Sequence, residues 1–89
     1  MSKVVIYTGI LCVFCNRAKK FFKEKNIQYK EINIFENPEK KDEMITLAEG
    51  RMTVPQIFID NMHIGGWDDL YELDNKGDLN TILKNAGIE

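Results

Sequence analysis

The sequence predicts an α/β fold, a mixed four-stranded sheet flanked by helices. Three observations carry this. Short apolar, β-branched runs alternate with amphipathic stretches of helical period in the order β-α-β-α-β-β-α-α. The first two strands are joined through a helix, which makes them parallel, with a right-handed crossover expected. The last two strands are separated only by Asp60 and Asn61, a connection that makes an antiparallel hairpin.

Each element has its own signal. Lys3 to Tyr7 is short, apolar and β-branched, and reads as a buried strand. Thr8 to Leu11 is a loop. From Val13 to Lys25 the apolar residues Phe14, Ala18, Phe21 and Phe22 recur at three-to-four spacing, with Arg17, Lys19, Lys20 and Lys23 between them. Asn26 is the expected helix stop. Gln28 to Ile34 alternates, with Tyr29, Ile32 and Ile34 as its apolar positions, and reads as a second strand. Asn37-Pro38 predicts an N-cap followed by proline at the first helical position. The helix from Glu39 to Glu49 carries Met44, Ile45, Leu47 and Ala48 and is closed by Gly50. Gln56 to Ile59 and Met62 to Ile64 form the hairpin, with His63 half-exposed and Met44, Met52 and Met62 as core or rim filler. Gly65-Gly66 precedes a helix from about Asp68 to Asn75, closed by Gly77. A last helix from Asp78 to Asn85 turns Leu79, Ile82 and Leu83 inward.

Composition removes several function classes. With 89 residues the expected organisation is one domain over 1–89. Twelve Lys and Arg against fourteen Asp and Glu give a net charge of −2, without the basic excess that phosphate binding needs, so no nucleic-acid partner is expected. The longest apolar run, Ile10 to Cys15, is far short of the ~18 residues of a membrane helix, so no membrane partner is expected either. Met1-Ser2-Lys3 runs straight into Val4 to Tyr7 without an apolar leader, so no secretory signal is expected and the chain reads as cytoplasmic, in a reducing compartment.

The two cysteines are Cys12 and Cys15, too few for a disulfide framework. A single C-x-x-C pair is redox-active, metal-binding or merely structural. Structural zinc wants four ligands, and beyond the pair the chain offers only the distant His63, so no metal is expected. Redox chemistry suits the placement. Cys12 follows a strand and starts a helix, where backbone amides and the helix dipole favour a thiolate over a thiol of pKa ~8.5. Cys15, one turn on, shares that face and can attack a mixed disulfide. A drop of ~3 pKa units needs roughly 4 kcal/mol. The dipole supplies at most ~2, so direct hydrogen bonds to the sulfur must supply much of the rest. Lys23 lies about 16 Å from the helix start at 1.5 Å per residue, beyond a Debye length of ~8 Å. Arg17 is the one cation of this helix expected to act strongly.

Several segments together resemble the glutaredoxins of the small bacterial kind: Val5-Ile6-Tyr7-Thr8, Cys12-Val13-Phe14-Cys15 with Arg17-Ala18-Lys19, Thr53-Val54-Pro55-Gln56-Ile57-Phe58-Ile59-Asp60, His63-Ile64-Gly65-Gly66 and Asp68-Asp69-Leu70-Tyr71. They cover nearly the whole chain in order. The resemblance implies a thioredoxin-like fold and reduction of disulfides with glutathione as co-substrate, without a tightly bound cofactor. It implies catalytic roles for Cys12 and Cys15 and a glutathione site made by Cys12, Phe14, Arg51, Thr53, Val54, Pro55, Gly66, Trp67 and Asp68. Pro55 would be a cis proline that brings the Val54 backbone beside Cys12, or else an ordinary strand-edge proline. Gly65-Gly66 would present free N–H groups to the γ-glutamyl carboxylate. Asp68 would cap the helix, accept from the glutathione ammonium, or both. Arg51 would pair with the glycyl carboxylate or remain a solvated loop charge. Trp67 would stack on the ligand or cover apolar surface.

The chain departs from the family pattern at three places. Val13 and Phe14 stand where the family usually has Pro and Tyr, Gly9 where it often has Lys, and Trp67 where a small residue is frequent. The reading is a glutathione-dependent dithiol oxidoreductase acting as a monomer on disulfide-containing or glutathionylated proteins. Two alternatives remain at this point: a redoxin donating electrons to ribonucleotide reductase, and a [2Fe–2S] carrier built as a glutathione-bridged dimer.

Overall fold

The computed structural model describes residues 3–88. Its strands are β1 (Val4–Thr8), β2 (Tyr29–Asn33), β3 (Gln56–Ile59) and β4 (Met62–Gly65). Its helices are α1 (Val13–Glu24), α2 (Glu39–Leu47), α3 (Trp67–Lys76) and α4 (Asp78–Asn85). The sheet order is β2-β1-β3-β4. β1 runs parallel to β2 and antiparallel to β3, and β3 pairs antiparallel with β4. Asp60 and Asn61 both have positive φ, the primed hairpin turn that matches strand twist.

Side chains alternate across the sheet, as a pleated strand requires. Val4 and Ile6 of β1 and Ile57 and Ile59 of β3 face one side, where Ala18 and Phe22 of α1, Leu70 of α3 and Leu79 and Leu83 of α4 cover them. Tyr7 and Phe58 face the other side, under Met44 and Ala48 from the α2 segment. The result is three layers: α1, α3 and α4, then the sheet, then α2. β1, paired on both edges and covered on both faces, is apolar almost throughout for that reason.

Some expectations needed correction. The Asn37 side chain donates to the Asn33 carbonyl at 3.2 Å and does not cap α2, which has no side-chain cap. Leu47 is exposed, because the burial of α2 rests on Met44 and Ala48. Met52 and Met62 are likewise exposed, and only Met44 is core. Phe14 is 49% exposed in the first turn of α1; beyond it Cys15, Ala18 and Phe22 are buried and Phe21 packs against the core.

One polar bridge fastens α2 to the sheet. The buried Tyr7 hydroxyl donates to Glu43 Oε2 at 2.6 Å. Burial, the hydrogen bond and the carboxylate charge push the Tyr7 phenol well above its usual range, while the Tyr7 hydrogen bond holds Glu43 below its own. A raised tyrosine contributes stability that is full below ~10 and lost as pH rises above it. A lowered glutamate contributes stability that is full above ~4.3 and lost as pH falls below it. Tyr7→Phe is therefore expected to lower stability between those limits by about 1 kcal/mol, a small value because Glu43 is partly exposed. It should also flatten the alkaline decline. Urea midpoints at pH 7 and above pH 10 check both effects; a difference from wild type that does not shrink at high pH would contradict the assignment.

Candidate active site

The redox pair sits where β1 ends. Thr8 is buried, and its hydroxyl donates to Glu31 Oε2 at 2.7 Å, which also receives Lys19 Nζ at 3.1 Å. The loop then leaves the sheet, with Leu11 at φ +50° and 96% exposed. Cys12 is the N-cap of α1, with extended backbone, and its Sγ accepts the Cys15 N–H at 3.1 Å. The same N–H, kept in the reduced protein, would be a direct donor to a Cys12 thiolate. Cys12 and Cys15 are joined as a disulfide, with Cα atoms 5.2 Å apart. The two sulfurs differ in access: Cys12 is partly exposed, whereas Cys15 is 2% exposed beneath the first turn. Arg17 turns its guanidinium over the Phe14 ring, 5.4 Å from its centre.

A second loop meets this one. Cys12 Sγ lies 3.7 Å from the Val54 carbonyl oxygen, and the Val54–Pro55 peptide is cis, as the resemblance implied. Gly9 packs against Val54 so closely that a Cβ at position 9 would stand 3.1 Å from Val54 Cγ2. A lysine there would have to push the Val54 side chain aside, so the departure at Gly9 goes with tight contact between the two loops.

Beside the disulfide lies an open cleft of about 250 Å³, lined by Phe14, Arg51, Thr53, Val54, Pro55, Gly66, Trp67, Asp68 and Asp69. The residues singled out from the sequence thus meet at one place, with Cys12 at its edge. Trp67 covers apolar surface, its ring edge-on to Phe21 at 5.9 Å and beside Tyr71 at 5.7 Å, and it also lines the cleft.

The far wall corrects two expectations. Asp69, not Asp68, caps α3. Its Oδ2 accepts the Gly66 N–H at 2.8 Å and the Arg51 Nη1 at 3.0 Å. The Gly66 N–H is therefore not free for a ligand. Position matters here: with Gly66 as N-cap, Asp69 is the third helical residue, the one whose side chain reaches back in a capping box. Partial burial by itself would raise the Asp69 carboxyl, but the Gly66 N–H and the Arg51 guanidinium outweigh it and hold it below the usual range. Asp68 is exposed on the cleft rim. In the first turn of α3 the N–H groups of Trp67 and Asp68 remain without intrahelical partners.

Among the described residues no three His, Cys, Asp or Glu side chains converge as a metal site would need. None of the described helices is long and apolar enough to cross a membrane.

Comparison with known proteins agrees with this geometry. The family profile described as glutaredoxin matches residues 4–64. The chain is 50% identical over 84 residues to glutaredoxin 3 of Escherichia coli strain K12, covering 94% of this chain and 100% of that protein. The solution structure of glutaredoxin from Brucella melitensis superposes with a TM-score of 0.78 at 44% identity, covering 94% of this chain and 90% of that one. The crystal structure of a buckwheat glutaredoxin–glutathione complex superposes with a TM-score of 0.85 at 28% identity, covering 98% and 82%.

Proposed function

The chain belongs to the glutaredoxin family of dithiol thiol–disulfide oxidoreductases, with the thioredoxin-like fold, and from that premise we propose that glutathione is its reductant and that the cleft beside Cys12 is where glutathione binds. The observation that carries the reading is Cys12 itself. It is the accessible cysteine, it caps a helix, and it lies 3.7 Å from the Val54 carbonyl at the edge of the cleft.

The chemistry follows from that asymmetry. The Cys12 thiolate attacks a substrate disulfide, whose S–S bond breaks; one substrate thiolate leaves and takes up a proton. The Cys15 thiolate then attacks Cys12 Sγ, expels the second substrate thiol and closes the Cys12–Cys15 disulfide. One glutathione thiolate attacks Cys12 Sγ and frees Cys15. A second attacks the glutathione sulfur of that mixed disulfide and frees Cys12 as oxidised glutathione departs. Two thiols are oxidised for each disulfide reduced.

Glutathione carries two carboxylates and one ammonium, and the cleft offers partners for each. The Val54 backbone would pair with the cysteinyl unit like an added strand. Arg51 would turn from Asp69 to share the glycyl carboxylate. The Trp67 and Asp68 amides at the start of α3 would receive the γ-glutamyl carboxylate, and the Asp68 carboxylate the ammonium. Phe14 and Trp67 supply the apolar flanks. The buckwheat glutaredoxin bound to glutathione supports this use of the fold. The exposed Leu11, Val13 and Phe14 beside Cys12 suit apolar segments of disulfide-containing or glutathionylated proteins, which we take as substrates of a monomeric, cytoplasmic enzyme.

Cys15→Ser separates the roles. It should keep reduction of a glutathionylated peptide within about threefold of wild type, because glutathione itself resolves that mixed disulfide. Reduction of a protein disulfide should fall by roughly tenfold or more, since the intramolecular resolving thiol is gone. Equal loss of both activities in the folded variant would overturn the assignment.

A further inference from the structure

Thr8 and Gln56 are the buried polar side chains among the described residues, and Gln56 is wholly enclosed. It opens β3 and points to the α2 side of the sheet, the side that Phe58 also faces two residues on. An amide is costly there unless every polar atom is paired. Gln56 meets that condition. Its Nε2 donates to the Thr53 carbonyl at 3.0 Å and to Thr53 Oγ1 at 3.2 Å. Its Oε1 lies 2.7 Å from His63 Nε2 on β4. Because the NH₂ group is spent on two oxygen acceptors, Oε1 must accept, and the hydrogen of this bond resides on His63 Nε2. The His63 ring is held in turn against Phe58, with centres 5.1 Å apart.

The bonds form a one-way relay from β4 through Gln56 into the loop before Pro55. Residues 51–55 of that loop lie outside the sheet ladders, so nothing on the sheet fixes the Thr53 carbonyl except this side chain. The next residue is Val54, whose carbonyl stands beside Cys12.

We infer that Gln56 is a positioning residue of the redox site: it holds Thr53 from inside the protein and thereby sets the Val54 backbone that receives the substrate, while His63 orients Gln56. The inference rests on the proposed use of Val54 in binding glutathione. Gln56 touches no reacting atom, so its loss should show as poorer binding rather than slower sulfur chemistry.

The test measures KM and kcat for a glutathionylated peptide, with glutathione and glutathione reductase, in wild type, Gln56→Leu, His63→Leu and His63→Gln. The alkylation rate of reduced Cys12 by iodoacetamide, which needs no Val54 backbone, is measured alongside. In folded Gln56→Leu, KM should rise about tenfold, with kcat and the alkylation rate within about twofold of wild type. His63→Leu should raise KM in the same direction, and His63→Gln, which can still donate to Oε1, should recover most of the loss. An unchanged KM in folded Gln56→Leu, or a fall in alkylation as large as the fall in kcat/KM, overturns the inference. If Gln56→Leu does not fold, the two His63 variants decide: a raised KM in His63→Leu that His63→Gln restores supports the relay, and equal behaviour of the two overturns it. Absence of glutathione-dependent turnover in wild type would overturn the reading of the cleft itself, a failure distinct from a wild type that turns over beside an unaltered Gln56→Leu.

Discussion

Cys12→Ser is expected to reduce turnover of both protein disulfides and glutathionylated thiols by at least ~10³-fold while leaving the fold intact. A serine hydroxyl is far less acidic than a thiol, so the α1 amides that favour a thiolate produce no comparable alkoxide at neutral pH. Cys15 cannot substitute, because it is 2% exposed beneath the first turn. The comparison with Cys15→Ser, which is expected to keep one of the two activities, is what makes the result diagnostic. Steady-state rates on a glutathionylated peptide and on a protein disulfide, with circular dichroism as the folding control, check it. Residual activity above a few per cent in Cys12→Ser would place the nucleophile elsewhere.

Gly65→Ala is expected to cost about 2–4 kcal/mol of stability and to weaken glutathione use as well. Gly65 has φ +116°, a region that costs a side-chain-bearing residue of order 1–3 kcal/mol. A Cβ there would also run into the Asp69 carboxylate and the Arg51 guanidinium, the pair that caps α3 and forms the cleft rim. Displacing Asp69 adds a lost cap, worth ~1 kcal/mol. For a chain of this size the sum corresponds to a Tm lower by roughly 10–30 °C. Gly66→Ala is the control. Its φ is −91°, and its Cβ would meet the Pro55 carbonyl oxygen at an ordinary 3.5 Å, so it should cost about 1 kcal/mol or less. Equal melting temperatures for the two variants would show that the Gly65 conformation and the Asp69–Arg51 contact carry no weight.

The sheet was legible because its signals are local. β1 announces itself through Val4 to Tyr7, the hairpin through Asp60-Asn61, and α1 through Ala18 and Phe22. The active-site pair was legible because both cysteines lie in one helical turn. What the sequence concealed depends on one-residue shifts and on distant loops. The start of α3 at Trp67 rather than Asp68 moves the capping role from Asp68 to Asp69 and takes the Gly66 N–H with it. Phe14 was legible at the cleft only through the family resemblance: it fits the helical period of α1, yet as the first-turn member it lines the cleft instead of the core. Asn37 has the residue type of a cap, but its amide is drawn to the Asn33 carbonyl. The contact of Gly9 with Val54 joins two loops far apart in sequence, and no local pattern signals it. Gln56 reads as a polar residue at a strand start, and only the folded chain shows its amide enclosed between Thr53 and His63.

The source of electrons tests the account most directly. NADPH consumption is followed during reduction of a glutathionylated peptide by the purified protein, once with glutathione and glutathione reductase and once with thioredoxin reductase in their place. The account predicts turnover that saturates with the glutathionylated substrate in the first mixture and only background in the second. Turnover driven by thioredoxin reductase, with background in the presence of glutathione, would contradict it.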